Sequence, residues 1–262
     1  MPVLDAELDA ALKAMDLSFH VRLIGTFAPD LVYAPAEAHA ASWLAQNYPI
    51  FDQFPVMEGD ATIGVLDRSG DHSGKTVRQA MQPLSEGVIV AADMPIADLI
   101  PQFRESHYRL ILRGGRMDGL VTQSDLLKLP VRMLLFGLIS HLEMCFRALV
   151  RERSPWPTWT EHLKPERRKI LRKDLRKLKG ARFEPDPLEL SKFSDVVFVL
   201  AQQQDFGDDF RAKANPIVLL RNDIAHARTY LRSIDDTREF VDRFTSLRDL
   251  LARVSRMTEG PK

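Results

Sequence analysis

The chain has 262 residues, 45% of them hydrophobic and 27% charged, a composition that argues against disorder or a fibrous repeat. Its net charge is zero, yet residues 1–130 carry 10 Lys and Arg against 17 Asp and Glu, whereas residues 131–262 carry 26 against 19. Halves of net −7 and +7 imply two modules with different partners, the acidic one ill suited to long nucleic acid and the basic one able to meet a polyanion. The single cysteine, Cys145, excludes an internal disulfide and a multi-cysteine zinc site, and a reducing cytoplasm is the expected compartment. The longest apolar run, 133–139, falls short of a membrane span, and residues 1–16 lack the basic start of a signal peptide, so no membrane partner is expected.

After an N-terminal helix over 1–18, short strands and helices alternate to about residue 129. The pattern predicts a strand over 31–34, a helix over 36–46, a strand over 54–57, a turn at 58–60 and a strand over 62–66. The same order returns as a strand at 88–91, a helix over 95–105, a strand at 110–112, a Gly114-Gly115 turn, a strand at 120–122 and a helix opening at 124–127. Gly64 and Gly119 hold matching places 55 residues apart, which reads as a tandem β-α-β-β duplication with repeats of about 19–72 and 73–129.

The segment Gly119-Leu120-Val121-Thr122-Gln123-Ser124-Asp125-Leu126 joins a glycine, apolar strand residues, a hydroxyl and an acid that opens a helix. It resembles the end of a CBS domain, a family that usually occurs as tandem pairs. The resemblance implies an adenine-nucleotide site for AMP, ADP or ATP, with Asp125 on the ribose hydroxyls and Thr122 on ribose or phosphate. A carboxylate can accept from both hydroxyls of a vicinal diol. Arg109, just before an apolar strand, is a further phosphate candidate. The first repeat departs from the pattern: Asp67-Arg68-Ser69-Gly70 follows Gly64-Val65-Leu66, so one cleft at most is equipped. Asp125 as a plain helix cap, in a pair that serves as a dimerising scaffold, is the competing reading.

From residue 130 the periodicity is helical, giving an all-α domain over 130–256 and a tail over 257–262. Apolar stripes fall on Leu134, Leu138, Leu142, Phe146 and Leu149; on Leu190, Phe193, Val197 and Leu200; on Ile217, Leu220, Ile224 and Leu231; and on Phe240, Phe244, Leu247, Leu251 and Val254. Asn215 as N-cap and Pro216 as first residue would open the third helix. Loops are expected at 154–158 and 183–187.

The third stripe carries Leu220-Arg221-Asn222-Asp223-Ile224-Ala225-His226. His226 lies roughly 140° from the centre of that stripe, which disfavours a core histidine. Asn222, one turn earlier, can orient the imidazole, and Leu219 and Tyr230 share this second face. The arrangement resembles the HEPN family of helical bundles, whose signature is Arg, a polar residue, then His; Glu143 and Arg147 on the first long helix fit the likeness. The fold class expected is therefore α+β, a tandem CBS module followed by an all-α HEPN-like bundle.

Active members of that family are metal-independent endoribonucleases that work as homodimers, so the resemblance implies catalysis by Arg221, Asn222 and His226 on RNA, in a stress, toxin-like or phage-defence setting. The chemistry suits the residues: histidine is the side chain that titrates near neutrality, and arginine can hold phosphate oxygens bidentately. No cofactor is required on this reading beyond a regulatory adenine nucleotide. The alternative is a non-catalytic nucleotide sensor whose helical half only dimerises or binds a partner.

Residues 164–182 carry ten basic side chains against Glu166 and Asp174. With Leu171, Leu175 and Leu178 inward, Arg167, Arg168, Lys169, Arg172, Lys173, Arg176 and Lys177 face out, and Arg168, Lys169, Arg172, Lys173 and Arg176 are the expected RNA contacts. A solvated charged face is the alternative. Trp156 and Trp159 can stack on bases or plug the end of the bundle. The histidines show no metal-ligand spacing, so no metal site is expected.

Overall fold

The computed structural model describes residues 10, 13–15, 17–46, 51–178, 186–207 and 209–258. They fall into two compact units, Asp16–Val131 and the combination of Met1–Met15 with Arg132–Lys262.

Among its described residues the Asp16–Val131 unit holds two four-stranded sheets. In chain order its elements are β1 (Thr26–Phe27), β2 (Ala34–Pro35), α1 (Ala40–Gln46), β3 (Gln53–Glu58), β4 (Ala61–Asp67), α2 (Val77–Ala80), β5 (Gln82–Pro83), β6 (Ile89–Ala91), α3 (Ile96–Leu99), β7 (Tyr108–Arg113) and β8 (Arg116–Thr122). The sheets run β2-β3-β4-β5 and β1-β8-β7-β6. In each, a parallel pair is followed by an antiparallel hairpin. A register shift between Val56 and Met57 recurs between Ile111 and Leu112, and Gly64 pairs with Val56 as Gly119 pairs with Ile111.

The outer strand of each sheet comes from ahead of the other repeat. β1 pairs antiparallel with β8, Phe27 opposite Gly119, and β5 pairs antiparallel with β4, Pro83 opposite Gly64. Glycine is needed at both crossings. A Cβ on Gly119 would lie 2.4 Å from the Phe27 ring, and one on Gly64 would lie 2.4 Å from the Gln82 carbonyl oxygen.

Apolar alternation on the strands builds the core between the repeats. Leu31, Val65, Tyr108, Leu110 and Leu120 are buried together, and the Thr62 hydroxyl donates to the Met117 carbonyl at 3.0 Å. Phe54, Val56 and Leu66 of the first repeat form a second cluster with Val77 of the second, and Trp43 lies edge-on to Phe54 at 4.9 Å.

Several predicted elements shift. The strand expected at 31–34 is only Ala34–Pro35, and the helix expected from 36 begins at Ala40. The helix expected over 95–105 is α-helical to Leu99 and 3₁₀ over Ile100–Arg104. Pro101 there has no amide to give to the Ala97 carbonyl. The helix expected at 124–127 is a 3₁₀ turn, Gln123–Leu127.

After the strands in chain order, the described residues hold five longer helices: α4 (Leu129–Arg153), α5 (Pro165–Lys177), α6 (Phe193–Leu200), α7 (Phe210–Ala225) and α8 (Ile234–Thr258). The boundary between the units falls in the first turn of α4. Leu134, Leu138, Leu142, Phe146 and Leu149 are buried as the spacing requires. Phe146 meets Phe193, Phe206 and Phe210 at ring separations of 6.0, 6.4 and 5.5 Å. Such contacts exceed plain area burial by about 0.5–1.5 kcal/mol each. By length and composition α4 could cross a membrane, which the run 133–139 alone did not suggest, but most of its apolar stretch is buried inside the protein.

Two expectations fail on α7. The helix starts at Phe210, so Asn215 is not its N-cap and Pro216 lies inside it. Burial of Phe210 against Phe146 and Phe206 carries the helix upstream of the proline. The helix also ends at Ala225, so Tyr230 and Leu231 are off it, and both are buried. Tyr230 stacks on Phe240 at 5.3 Å beneath the Arg132 guanidinium, and burial pushes its hydroxyl up to about 12. The expected outward face therefore keeps Leu219, which is 58% exposed, and loses Tyr230. The N-terminal helix over 1–18, the loop at 183–187 and the tail over 257–262 lie largely outside the described residues.

Candidate functional site

β8 delivers Thr122 in extended conformation to the start of the 3₁₀ turn, and the turn brings Asp125 back to it. One carboxylate oxygen of Asp125 accepts from the Thr122 amide at 2.6 Å and from the Thr122 hydroxyl at 3.1 Å. The other lies 2.7 Å from the Lys128 ammonium, which also donates to the Ile24 carbonyl at 2.5 Å. Asp125 is buried, and Thr122 is half-buried with its hydroxyl 2.8 Å from that of Ser124. Local capping thus accounts for the geometry as it stands. The same carboxylate and hydroxyl also form an acceptor and donor pair of the kind a ribose diol requires.

Arg109 does not join them. It is buried, and its guanidinium donates to the Gln102 side chain at 3.1 Å, the Gln102 carbonyl at 2.6 Å and the Tyr108 carbonyl at 2.8 Å. Burial pulls its pKa below the ordinary arginine range. A phosphate contact at Arg109 would have to replace some of these internal bonds.

The first repeat has Asp67 at the place of Thr122 and Gly70 at the place of Asp125. Asp67 accepts from the Ser69 amide at 2.8 Å, the Ser69 hydroxyl at 2.6 Å and the Gln53 amide group at 3.1 Å. Burial alone would raise its pKa, but the bonds from Ser69 and Gln53, with His107 nearby, hold it below the ordinary carboxylate value. That cleft presents no carboxylate at the Asp125 position.

On α7, His226 is the C-cap, and its amide donates to the Asn222 carbonyl at 3.1 Å. Ala227 follows at φ 52°, an uncommon conformation for a residue with a Cβ, and the Arg228 amide closes onto the Asp223 carbonyl at 2.8 Å. This turn leaves the His226 side chain exposed. Arg221 is half-buried, with Nε 3.9 Å from the Glu143 carboxylate. Glu143 is itself buried and paired with Arg147 at 2.7 Å, and Arg147 donates onward to the Leu188 and Ser191 carbonyls. His226 lies five positions after Arg221, about 140° round the axis. Within one chain the motif is an arginine beside a buried acid and an exposed histidine on different sides of the helix end.

On α5, Lys169, Arg172, Lys173 and Arg176 are exposed and Leu171 is buried. Two arginines expected to face outward do not. Arg167 forms a bidentate pair with Asp195 of α6 at 3.0 and 2.5 Å. Arg168 turns back onto the Glu161 and Leu163 carbonyls at 2.8 and 3.3 Å. Residues 179–182 of the basic stretch lie outside the described residues. Trp159 is buried and Trp156 is half exposed, 6.0 Å apart ring to ring. Among the described residues no group of three or more His, Cys, Asp and Glu is placed to hold a metal ion.

Comparison with known proteins gives one family: the CBS domain model matches residues 77–132. That segment contains Thr122 and Asp125, and the chain contains a CBS domain within a mixed α+β architecture. Solved structures similar to it include the CBS domain of the bacterial CNNM/CorC family Mg2+ transporter in complex with ATP, at 23% identity and TM-score 0.38, covering 48% of this chain and 95% of that one. CBSX2 from Arabidopsis thaliana matches at 16% identity and TM-score 0.37, covering 45% and 94%. CBSX2 in complex with AMP matches at 17% identity and TM-score 0.36, covering 45% and 97%. No curated protein matches.

Proposed function

We propose that the paired repeats bind an adenine nucleotide at Thr122 and Asp125, and that this binding regulates the helical unit. The observation that carries the reading is the placement of a buried carboxylate against a hydroxyl inside the matched CBS segment. The ribose hydroxyls would take the place of the Thr122 hydroxyl on Asp125, exchanging one hydrogen bond for two. The first repeat, with Asp67 in a local turn and Gly70 where the acid would be, leaves one site per chain. Titration calorimetry with AMP, ADP and ATP tests this. One site per chain supports the reading, and absence of heat with all three ends it.

For the helical unit we propose HEPN-type, metal-independent RNA cleavage in a homodimer. The exposed His226 at the left-handed turn supports this reading, with Arg221 held beside Glu143. His226 takes the proton of a ribose 2′-hydroxyl, and the 2′-oxygen attacks phosphorus. Arg221 neutralises the charge that grows on the phosphate oxygens. The P–O5′ bond breaks, the imidazolium returns a proton to the 5′-oxygen, and a 2′,3′-cyclic phosphate remains. Two-fold symmetry can bring a second copy of the motif opposite the first, and Met133, Phe136 and Met144 on α4, with Leu219 on α7, supply exposed apolar surface. Light scattering of the full chain tests assembly, and a monomer at micromolar concentration removes the composite site. The engagement of Arg221 with buried Glu143 favours a second reading, a non-catalytic effector, if no cleavage is found.

A further inference from the structure

The geometry points to α5 as a surface that grips single-stranded nucleic acid, the substrate class of the cleavage reading, on which the biological sense of this inference rests. Lys169, Arg172, Lys173 and Arg176 project within an arc of about 100°, opposite buried Leu171, and span about 10 Å along the axis. Among the described residues none of the four has an acidic partner: Asp174 is taken by Lys177 at 3.0 Å, and Asp195 by Arg167. Four uncompensated cations on one helix face repel one another in the free protein, and phosphates relieve that repulsion.

The arc is held rigid. Asp195 binds the Arg167 guanidinium and also accepts from the Lys192 amide at 3.0 Å, tying α5 to the start of α6. Arg168 fastens the first turn of α5 to the carbonyls ahead of it. A pre-positioned helix gives up little backbone freedom on binding.

Its size selects the ligand. Four cations over about 10 Å match a few phosphates of one strand, whereas a duplex reader spans about 16 base pairs. Trp156, half exposed in the segment leading towards α5, offers a ring on which a base can stack. An anionic membrane is the weaker fit. The apolar side of α5 is turned inward with Leu171, and on the outer side Ile170 is the one large apolar residue exposed, too little to anchor an interfacial helix.

The test is fluorescence anisotropy of the full-length protein with a 12-nucleotide 2′-O-methyl oligouridylate, which cannot be cut through its 2′-oxygen. Parallel arms use DNA of the same length, duplex RNA, and phosphatidylglycerol vesicles. Four phosphate contacts predict a slope of about −2.8 in log affinity against log salt, a loss of about 50-fold between 50 and 200 mM. Replacing Lys169, Arg172, Lys173 and Arg176 together with glutamine is expected to remove most of that slope. Replacing Lys213, Arg232, Arg238 and Arg256, exposed elsewhere on the helical unit, changes the net charge equally and is expected to leave it. Equal binding by both quadruple variants overturns the inference, as does preference for duplex or vesicle. Binding that maps to α5 without any cleavage of ordinary RNA leaves the grip standing and removes the nuclease reading alone.

Discussion

The Asp125 carboxylate spans the Thr122 amide and the Lys128 ammonium, at 2.6 and 2.7 Å. It therefore serves the fold before any ligand arrives, and its replacement has two separable effects. Asp125→Ala leaves a half-buried amide without its acceptor and the Lys128 ammonium on the Ile24 carbonyl without its counter-ion, at about 1–3 kcal/mol of stability. Asp125→Asn keeps the shape and can still accept from Thr122. Both are expected to weaken nucleotide binding at least tenfold by calorimetry, while thermal melts separate the alanine protein from the asparagine one. Wild-type affinity in the folded asparagine protein would move the site elsewhere.

Gly64 and Gly119 occupy equivalent places but face different obstacles. Gly119→Ala pushes on the Phe27 ring, and Gly64→Ala pushes on the Gln82 carbonyl, each at 2.4 Å. A side chain can swing aside where a paired backbone cannot. Both substitutions are expected to destabilise by about 1–3 kcal/mol, Gly64→Ala more than Gly119→Ala, in urea unfolding of the full chain. The reverse order would mean that Phe27 is the less yielding neighbour.

Tyr230 gives the helical unit an alkaline limit. Its hydroxyl is pushed up to about 12 by burial, so the folded state keeps a proton that the unfolded chain loses near pH 10. The contribution is whole below about pH 10 and falls away as the pH rises towards 12, by roughly 2–3 kcal/mol. Tyr230→Phe is expected to flatten stability against pH across that window, read by denaturant midpoints. An unchanged profile would assign the alkaline loss to other groups.

For catalysis, His226→Ala and Arg221→Ala are each expected to cut RNA cleavage by about 10²–10⁴-fold with the circular dichroism spectrum retained. Arg221→Lys is expected not to restore it, because lysine lacks the planar fork. Cleavage should persist in EDTA and yield 2′,3′-cyclic ends. Undiminished cleavage by the His226→Ala protein would place the activity outside this motif.

The hairpin of β7 and β8 was legible because glycine, apolar alternation and a capping acid all agree there. β1 and β5 were not, since a two-residue strand has no period to detect; only the pairing of Phe27 and Pro83 with the repeat glycines reveals them. On α7 a strong local signal misled. Asn215-Pro216 reads as a helix start, yet Phe210 buries against Phe146 and Phe206, and tertiary packing outweighs the proline. Tyr230 was placed by extending the helical phase past His226, where the left-handed Ala227 breaks it. Of the basic stretch, the sequence could count charges but could not tell that Arg167 and Arg168 are spent inside the protein.

The exchanged outer strands make the two repeats hostages of one another. A cut between Asp67 and Val77 would give two fragments, each carrying the strand the other needs. The piece with Asp125 would lose β1 and expose the edge of β8, an open template for pairing with any other chain. Neither fragment would be a half-protein in the ordinary sense. They would be complementary parts, aggregating when made apart and restoring each other's sheets when made together.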